Sequence, residues 1–294
     1  MITTLIAETI QRIDQLARRD PGQRGFVTFA SVDHLGRAAE QLLTAERVIL
    51  VTGFCIRAAM IGENDGPPGT LAVAEALRQL GKDVHLVTDR HSAGLLTAGA
   101  AAFGKPFPTL ELSLDQVQAD QQIAALLTAF LPTHVVAIER PGNAIDGHRY
   151  SMRGESLDDL VPSADRLLQL PRSYRTIAIG DGGNELGMGS LRDSLMHHVL
   201  HGELIFAATA ADEVIPAGIS NWGAYALVAA LSLLAGKLLL RSPQLERAVL
   251  EALLAAGAVD GCTRLTALSV DGIPWEEYAV TLSEIYEETR RALN

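Results

Sequence analysis

Lysine is almost missing from this chain. It occurs only at Lys82, Lys105 and Lys237, against 21 arginines, and the formal net charge is −11. The three lysines fall in a turn, a loop and an apolar run, so covalent lysine chemistry has few candidates. No Lys/Arg-rich run is present, and with this acidic balance nucleic acid is not an expected partner. Cysteine is equally scarce. Cys55 and Cys262 make neither a disulfide framework nor a zinc site, and they suit a reduced cytosol. Cys55 has no histidine fixed beside it by the sequence and is not read as a nucleophile. No apolar run is long enough to cross a bilayer. The most apolar stretch, 226–240, contains Ser232 and Lys237 and reads as a buried core helix. The N-terminus, MITTLIAETIQRIDQLARRD, lacks the basic start and apolar stretch of a signal peptide and reads as an amphipathic helix. A cytoplasmic protein with no membrane attachment is expected.

With 294 residues, of which 48% are hydrophobic and 20% charged, the chain is long enough for a substantial core. Short β-branched runs at 47–54 (RVILVTGF), 83–89 (DVHLVTD), 133–139 (THVVAIE), 176–180 (TIAIG) and 203–209 (ELIFAAT) read as buried strands. Between them, 71–80, 116–130 and 190–201 read as helices. Continuous apolar strands separated by helices predict a three-layer α/β fold, with a largely parallel, doubly wound sheet and helices on both faces. No repeat, low-complexity tract or linker divides the chain. One domain over 1–294 is expected, with an N-terminal helical segment, 1–46, packed on it. The run 265–270 and the helical pattern 275–293 read as an added edge strand and a last helix.

Ligands of open α/β sheets sit beyond the carboxyl ends of the strands, so the segments after the strands matter most. The first leads to Glu63-Asn64-Asp65-Gly66-Pro67-Pro68-Gly69, and the second ends on Asp89. The third ends on Glu139-Arg140-Pro141-Gly142 and reaches Asp146-Gly147. The fourth runs into Gly180-Asp181-Gly182-Gly183-Asn184-Glu185-Leu186-Gly187-Met188-Gly189, and the fifth reaches Asp212-Glu213. Turns and helix caps favour the same residue types, and for any one loop that explanation competes on equal terms. The 180–189 loop fails the dinucleotide pattern. Read as G-x-G-x-x-G, it places Glu185 where the last glycine belongs, and a carboxylate there repels a pyrophosphate. No Walker-type GK[ST] occurs, so no nucleotide cofactor is expected. Its glycine N–H groups can still hold a substrate carboxylate or carboxamide oxygen.

Arg140, Arg149 and Arg153 are the bidentate candidates for a substrate carboxylate, with surface salt bridges as the competing reading. Ser220 reads as the N-cap of the apolar helix. Ser220, Asn221 and that helix N-terminus form a second anion seat. His197 and His201 have an i, i+4 spacing that can bind zinc, but no HExxH pattern supports it. Glu63, Asp65, Asp89, Asp181 and Glu185 are the candidate ligands of a hard divalent cation, Mg²⁺ or Mn²⁺. Asp181, Glu185 and Glu139 are the candidate proton carriers. A metal-free scheme, with one acid held protonated, stays open beside this one.

Taken in order, these motifs resemble the D-glutamate cyclase family. The matching pieces are VTGF at 51–54, ENDGPPG at 63–69, AIER at 137–140, DG…Y at 146–150, GDGGNELGMG at 180–189, SNWGAYAL at 220–227 and VDGIP at 270–274. They span roughly 48–274. The resemblance implies a hydro-lyase that closes free D-glutamate into 5-oxo-D-proline, with a small amino acid as substrate. Animal members carry extra sequence and act in mitochondria. This chain shows no transit segment, so a stand-alone, bacterial-type form is expected, and a homo-oligomer is compatible with it. Asn64, Cys55 and His148-Arg149 depart from the family pattern. A lyase or hydrolase acting on another small amino acid or lactam, and a non-catalytic amino-acid or nucleotide-binding module, are the alternatives.

Overall fold

The computed structural model describes residues 4–30 and 33–294. Six strands form the main sheet: β1 (Arg47–Thr52), β2 (Asp83–Asp89), β3 (Thr109–Leu112), β4 (His134–Ile138), β5 (Arg175–Gly180) and β6 (Glu213–Pro216). Their spatial order is β3-β2-β1-β4-β5-β6, and every pairing is parallel. Successive side chains on a strand point to opposite faces. Val48, Leu50, Val136, Ile138, Ile177 and Ile179 therefore enter one core, and Ile49, Val51, Val135, Ala137 and Ala178 enter the other. A strand buried on both sides has to read as a continuous apolar run, which is how these strands read.

The first core lies under helices α1 (Thr4–Ala17), α2 (Leu35–Thr44), α3 (Pro67–Gln79), α4 (Ala93–Ala101), α6 (Ser220–Ala235), α7 (Pro243–Ala255) and α8 (Trp275–Leu293). Helix α6 is buried from Ser220 to Leu233 and packs against α1, α2, α3 and α8. Helix α5 (Gln116–Phe130) covers the second core with Ala119 and Ile123, and irregular segments complete that layer. The architecture is the three-layer α/β fold expected. Among the described residues no helix is long and apolar enough to cross a membrane.

Four sequence expectations need correction. The run 203–209 is not a strand. It opens with a one-turn helix, Gly202–Ile205, and Ile205, Phe206 and Ala207 plug the second core instead of joining the ladder. The sixth strand is the shorter, fully buried EVIP at β6. The edge strand β3 was not anticipated, because Thr109 and Glu111 are exposed and break the apolar run. The segment 190–201 is no continuous helix. It breaks into single turns, Gly189–Leu191, Arg192–Leu195 and Met196–His198. Leu191, Leu195 and Val199 are nonetheless buried, which produced the helical period. His197 and His201 consequently do not share a helix face. Finally, Ser269–Val270 adds no edge to the main sheet but pairs antiparallel with Ile273–Pro274. Asp271 and Gly272 turn that hairpin with φ of 55° and 79°.

Candidate active site

In this strand order the connections reverse direction between β1 and β4, and the crevice beyond their carboxyl ends is the natural ligand position. Glu139 follows β4 directly, with φ of 46°, and its carbonyl accepts from Gly53 N at 3.1 Å. The loop after β1 returns over this point. At Gly66 (φ 93°) a Cβ would lie 2.6 Å from the Glu139 Cβ and 2.8 Å from Thr52 Oγ1, so only glycine lets the loop descend this far. The descent carries Asp65 next to Glu139, and the loop after β5 adds Asp181. One carboxylate oxygen from each of the three lies within 4.8 Å of the others. All three side chains are buried, at 1%, 5% and 4% exposure for Asp65, Glu139 and Asp181.

The N-terminus of α6 is not an open anion seat. Asp65 Oδ2 accepts from Ser220 N at 2.9 Å and Asp65 Oδ1 from Asn221 N at 2.8 Å. Asn221 returns the arrangement: its Oδ1 accepts from Gly66 N at 3.0 Å and Gly69 N at 2.9 Å, at the entry of α3. Its Nδ2 donates to Asn64 O at 3.1 Å. Two helix N-termini thus cap each other through one acid and one amide. The N-cap position belongs to Ile219 and not to Ser220, whose hydroxyl donates to Glu139 Oε2 at 2.5 Å. Asn221 is consumed in holding the acid loop in place.

The glycine loop is likewise engaged from within. Glu185 Oε1 accepts from Asp181 N at 3.1 Å and Gly182 N at 2.7 Å, and Oε2 accepts from Gly183 N at 2.7 Å. The anion in this nest is the loop's own Glu185. Asn184 donates Nδ2 to Tyr150 O at 2.8 Å, while its buried Oδ1 has no partner among the described residues.

Arg24, which the sequence reading missed, supplies the cation. It follows a turn in which Asp20 accepts from Arg24 N at 3.1 Å and Gly25 N at 3.0 Å. Its guanidinium pairs with Asp181 and, at 2.9 Å, with Asp271. One guanidinium does not balance the acids around it. Burial, then the charges of Asp271 and Asp181, hold Asp65 well above the usual carboxylate range. Burial, then Asp181 and Glu185, do the same to Glu139. Burial raises Asp181 although Arg24 opposes the rise. Asp271 is pushed up to about 7 by burial, against the pull of Arg24 and with help from Asp181. Glu63 is raised by burial and by Asp271, and its carboxyl has no hydrogen-bond or ion-pair partner among the described residues.

Arg24, Glu63, Glu139, Asp181 and Asp271 line a cavity of about 360 Å³ with Arg153, Asn184, Glu185, Met152 and Leu200 in its wall, and Asp65 lies behind it. Arg153 is exposed, has no acidic partner among the described residues, and donates to Cys262 O at 3.1 Å. The other two candidate arginines are elsewhere. Arg140 is sealed, pairing with Asp89 and donating to Pro162 O at 2.7 Å and Gly53 O at 3.2 Å, which removes Asp89 from the acid cluster as well. Arg149 pairs with Asp158 at 2.8 Å and faces a separate, larger groove of about 1280 Å³ lined by Arg47, Arg166 and Arg172. Asp212 and Glu213 lie at the opposite, amino edge, where β6 begins.

The chain matches the family described as D-glutamate cyclase-like, C-terminal, over residues 13–286. It belongs to that family. It is 34% identical over 244 residues to the human protein named "D-glutamate cyclase, mitochondrial", a match covering 78% of this chain and 39% of that protein. The chain thus spans about two fifths of the length of that relative. Among solved structures, the NADPH-dependent 3-quinuclidinone reductase from Rhodotorula rubra is 17% identical with a TM-score of 0.28, covering 52% of this chain and 59% of that one. The D-glutamate cyclase-like match contains every motif that builds the acid pocket. Arg24 and Asp271 both fall inside it. Asp271 had a visible signal, the VDGIP turn. Arg24 had none, lying in a loop that becomes part of the pocket only when α1 docks.

Proposed function

We propose that this D-glutamate cyclase-like chain closes free D-glutamate to 5-oxo-D-proline with loss of water. The observation that carries the reading is the cavity of about 360 Å³ in which several buried acids outnumber their cations beneath two arginines. Such a site suits a small molecule bearing both an ammonium and carboxylates. The human relative's name points the same way.

The reaction balances without redox chemistry. The amine attacks the γ-carboxyl carbon. One of the three ammonium protons stays on the lactam nitrogen, and two leave with a γ-oxygen as water. The site therefore has to fold the substrate into a ring-closing shape, exclude water and move two protons. Arg153 and Arg24 are the cations in position for substrate carboxylates. Glu63, the acid without a partner, is free to take the first proton. Glu139 is held by Ser220, and Asp181 is held by Arg24.

Asp65, Glu139 and Asp181 fit a hard divalent cation. All donors are carboxylate oxygens, no histidine or cysteine intrudes, and a dication relieves the repulsion that raises their pKa values. When bound there, Mg²⁺ or Mn²⁺ supplies charge neutralisation and Lewis acidity toward a substrate carboxylate. Glu63, Glu185 and Asp89, also candidates from sequence, lie outside this triad.

The test is incubation of purified protein with D- and L-glutamate, with and without Mn²⁺ or Mg²⁺, followed by chiral detection of 5-oxoproline. Turnover of the D-isomer, lost in EDTA and regained with metal, supports the reading. No turnover of D-glutamate under any metal condition rejects it. Full activity in protein shown by elemental analysis to be metal-free removes the cation and leaves the acids as proton carriers.

A further inference from the structure

Asn184 is 1% exposed and sits in the wall of the acid cavity. Its backbone carbonyl accepts from Gly142 N at 3.0 Å, so the residue itself is pinned. Its Nδ2 donates to Tyr150 O, and a carbonyl can only accept, so the carboxamide has one orientation. That orientation leaves Oδ1 as a buried acceptor with no donor among the described residues. Buried acceptors are normally satisfied, and an unfilled one needs an explanation.

The neighbourhood of Oδ1 supplies it. A Cβ on Gly182 would lie 2.9 Å from Asn184 Oδ1 and 3.2 Å from Glu185 Oε1. Asn184 Oδ1 therefore lies beside the Glu185 carboxylate, whose Oε1 already accepts from Asp181 N and Gly182 N. The third neighbour is Met152 Sδ at 2.5 Å, the tip of a flexible thioether that also lines the cavity. A group that satisfies Oδ1 must donate a hydrogen bond and tolerate the negative charge of Glu185 beside it. A carboxylate does neither, and an ammonium does both.

We infer that Asn184 Oδ1, with the Glu185 carboxylate beside it, is the seat of the ligand's primary ammonium group, and that this seat makes the pocket selective for amino acids over dicarboxylates of the same length. The inference rests on the amino-acid reading of the cavity. The carboxylates of the ligand then fall to Arg153 and Arg24, which line the same cavity. Asn184 acts here by holding the amine, next to the flexible Met152 thioether that lines the same cavity.

The experiment compares D-glutamate with glutarate, which keeps both carboxylates and lacks the amine. In wild-type protein, KM for D-glutamate and the competitive Ki of glutarate are measured under one metal condition. In Asn184→Ala, KM for D-glutamate should rise about tenfold or more, as expected for one hydrogen bond to a charged group, while the glutarate Ki stays within about twofold. Equal weakening of both ligands makes Asn184 a pin for its loop and overturns the inference alone. An unchanged KM overturns it as well. A wild-type protein that neither binds nor converts D-glutamate overturns the functional reading, and this inference with it.

Discussion

The same six strands end at two edges, and the edges treat charge in opposite ways. At the amino edge charges are settled locally. Arg172 pairs with Asp212 at 2.8 Å, Arg47 donates to Leu131 O at 2.7 Å, and the Thr133 hydroxyl ties the start of β1 to the residue before β4. One titratable group buried there, His134, is lowered to about 4, chiefly by burial and then by Arg175. At the carboxyl edge Glu63, Asp65, Glu139, Asp181 and Asp271 are all raised, and Arg24 is the one cation paired with any of them among the described residues. One-to-one pairing holds a structure together. A surplus of buried acid is tolerated only where a proton, a substrate ammonium or a dication completes it. The comparison therefore locates the site without appeal to cavity size, since the larger groove belongs to the paired arginines.

The largest expected effect tests pairing inside the carboxyl edge itself. Arg140 and Asp89 are a sealed, fully buried pair outside the cavity. Arg140→Ala leaves Asp89 buried without its partner and should cost about 3–5 kcal/mol of stability in urea unfolding. An unchanged midpoint would show that this pair is not structural. Next comes a surplus acid. Glu63→Gln should lower cyclisation by roughly 10²-fold or more while keeping or raising the melting temperature, because it removes a repelling carboxylate that has no partner among the described residues. A matching loss of stability would place Glu63 with the structural acids.

The two edges should also differ in the sign of their pH dependence. Between about 4 and 6.5 the unfolded chain protonates His134 and the folded one does not, so this contribution to stability is complete above 6.5 and is lost as pH falls toward 4. Asp271 runs the other way. The folded chain keeps its proton up to about 7 and the unfolded one releases it near 3.8, so its contribution is present below 3.8 and is lost as pH rises to 7. Urea midpoints against pH should lose opposite slopes in His134→Asn and Asp271→Asn. Slopes altered in the same direction would break the comparison. The smallest effect separates two arginines of similar sequence position. Arg153→Ala should raise KM for D-glutamate several-fold, roughly the value of one exposed charge-assisted contact, whereas Arg149→Ala should leave KM unchanged.

Much of the fold was legible because burial on both faces forces a strand to be apolar at every position. The central positions of β1, β4 and β5 obey that rule, and β2 follows it at Val84, Leu86 and Val87. The edge strand β3 does not, having solvent on one side, and 203–209 mimics it by filling a core with apolar residues that carry no ladder. The acids of the site were legible as a set, since they follow strands. Their division of labour was not. Glu185 and Asp65 each bond backbone N–H groups, Glu185 those of its own loop and Asp65 those at the start of α6. Asp89 is neutralised by an arginine 51 residues away, and whether a carboxylate is satisfied depends on neighbours that sequence distance does not reveal.

The sequence by itself determined the layers, the acidic character of one sheet edge and the family. These depend on local period and on loops fixed to strand ends. Only the tertiary structure decided which acids are surplus. It brings Arg24 and Asp271, from opposite ends of the chain, to one carboxylate between them, and it sets Asn221 and Asp65 to cap each other's helices. Charge balance in a buried site is a sum over neighbours in space, at distances of a few ångströms, and that sum exists only once the chain has closed.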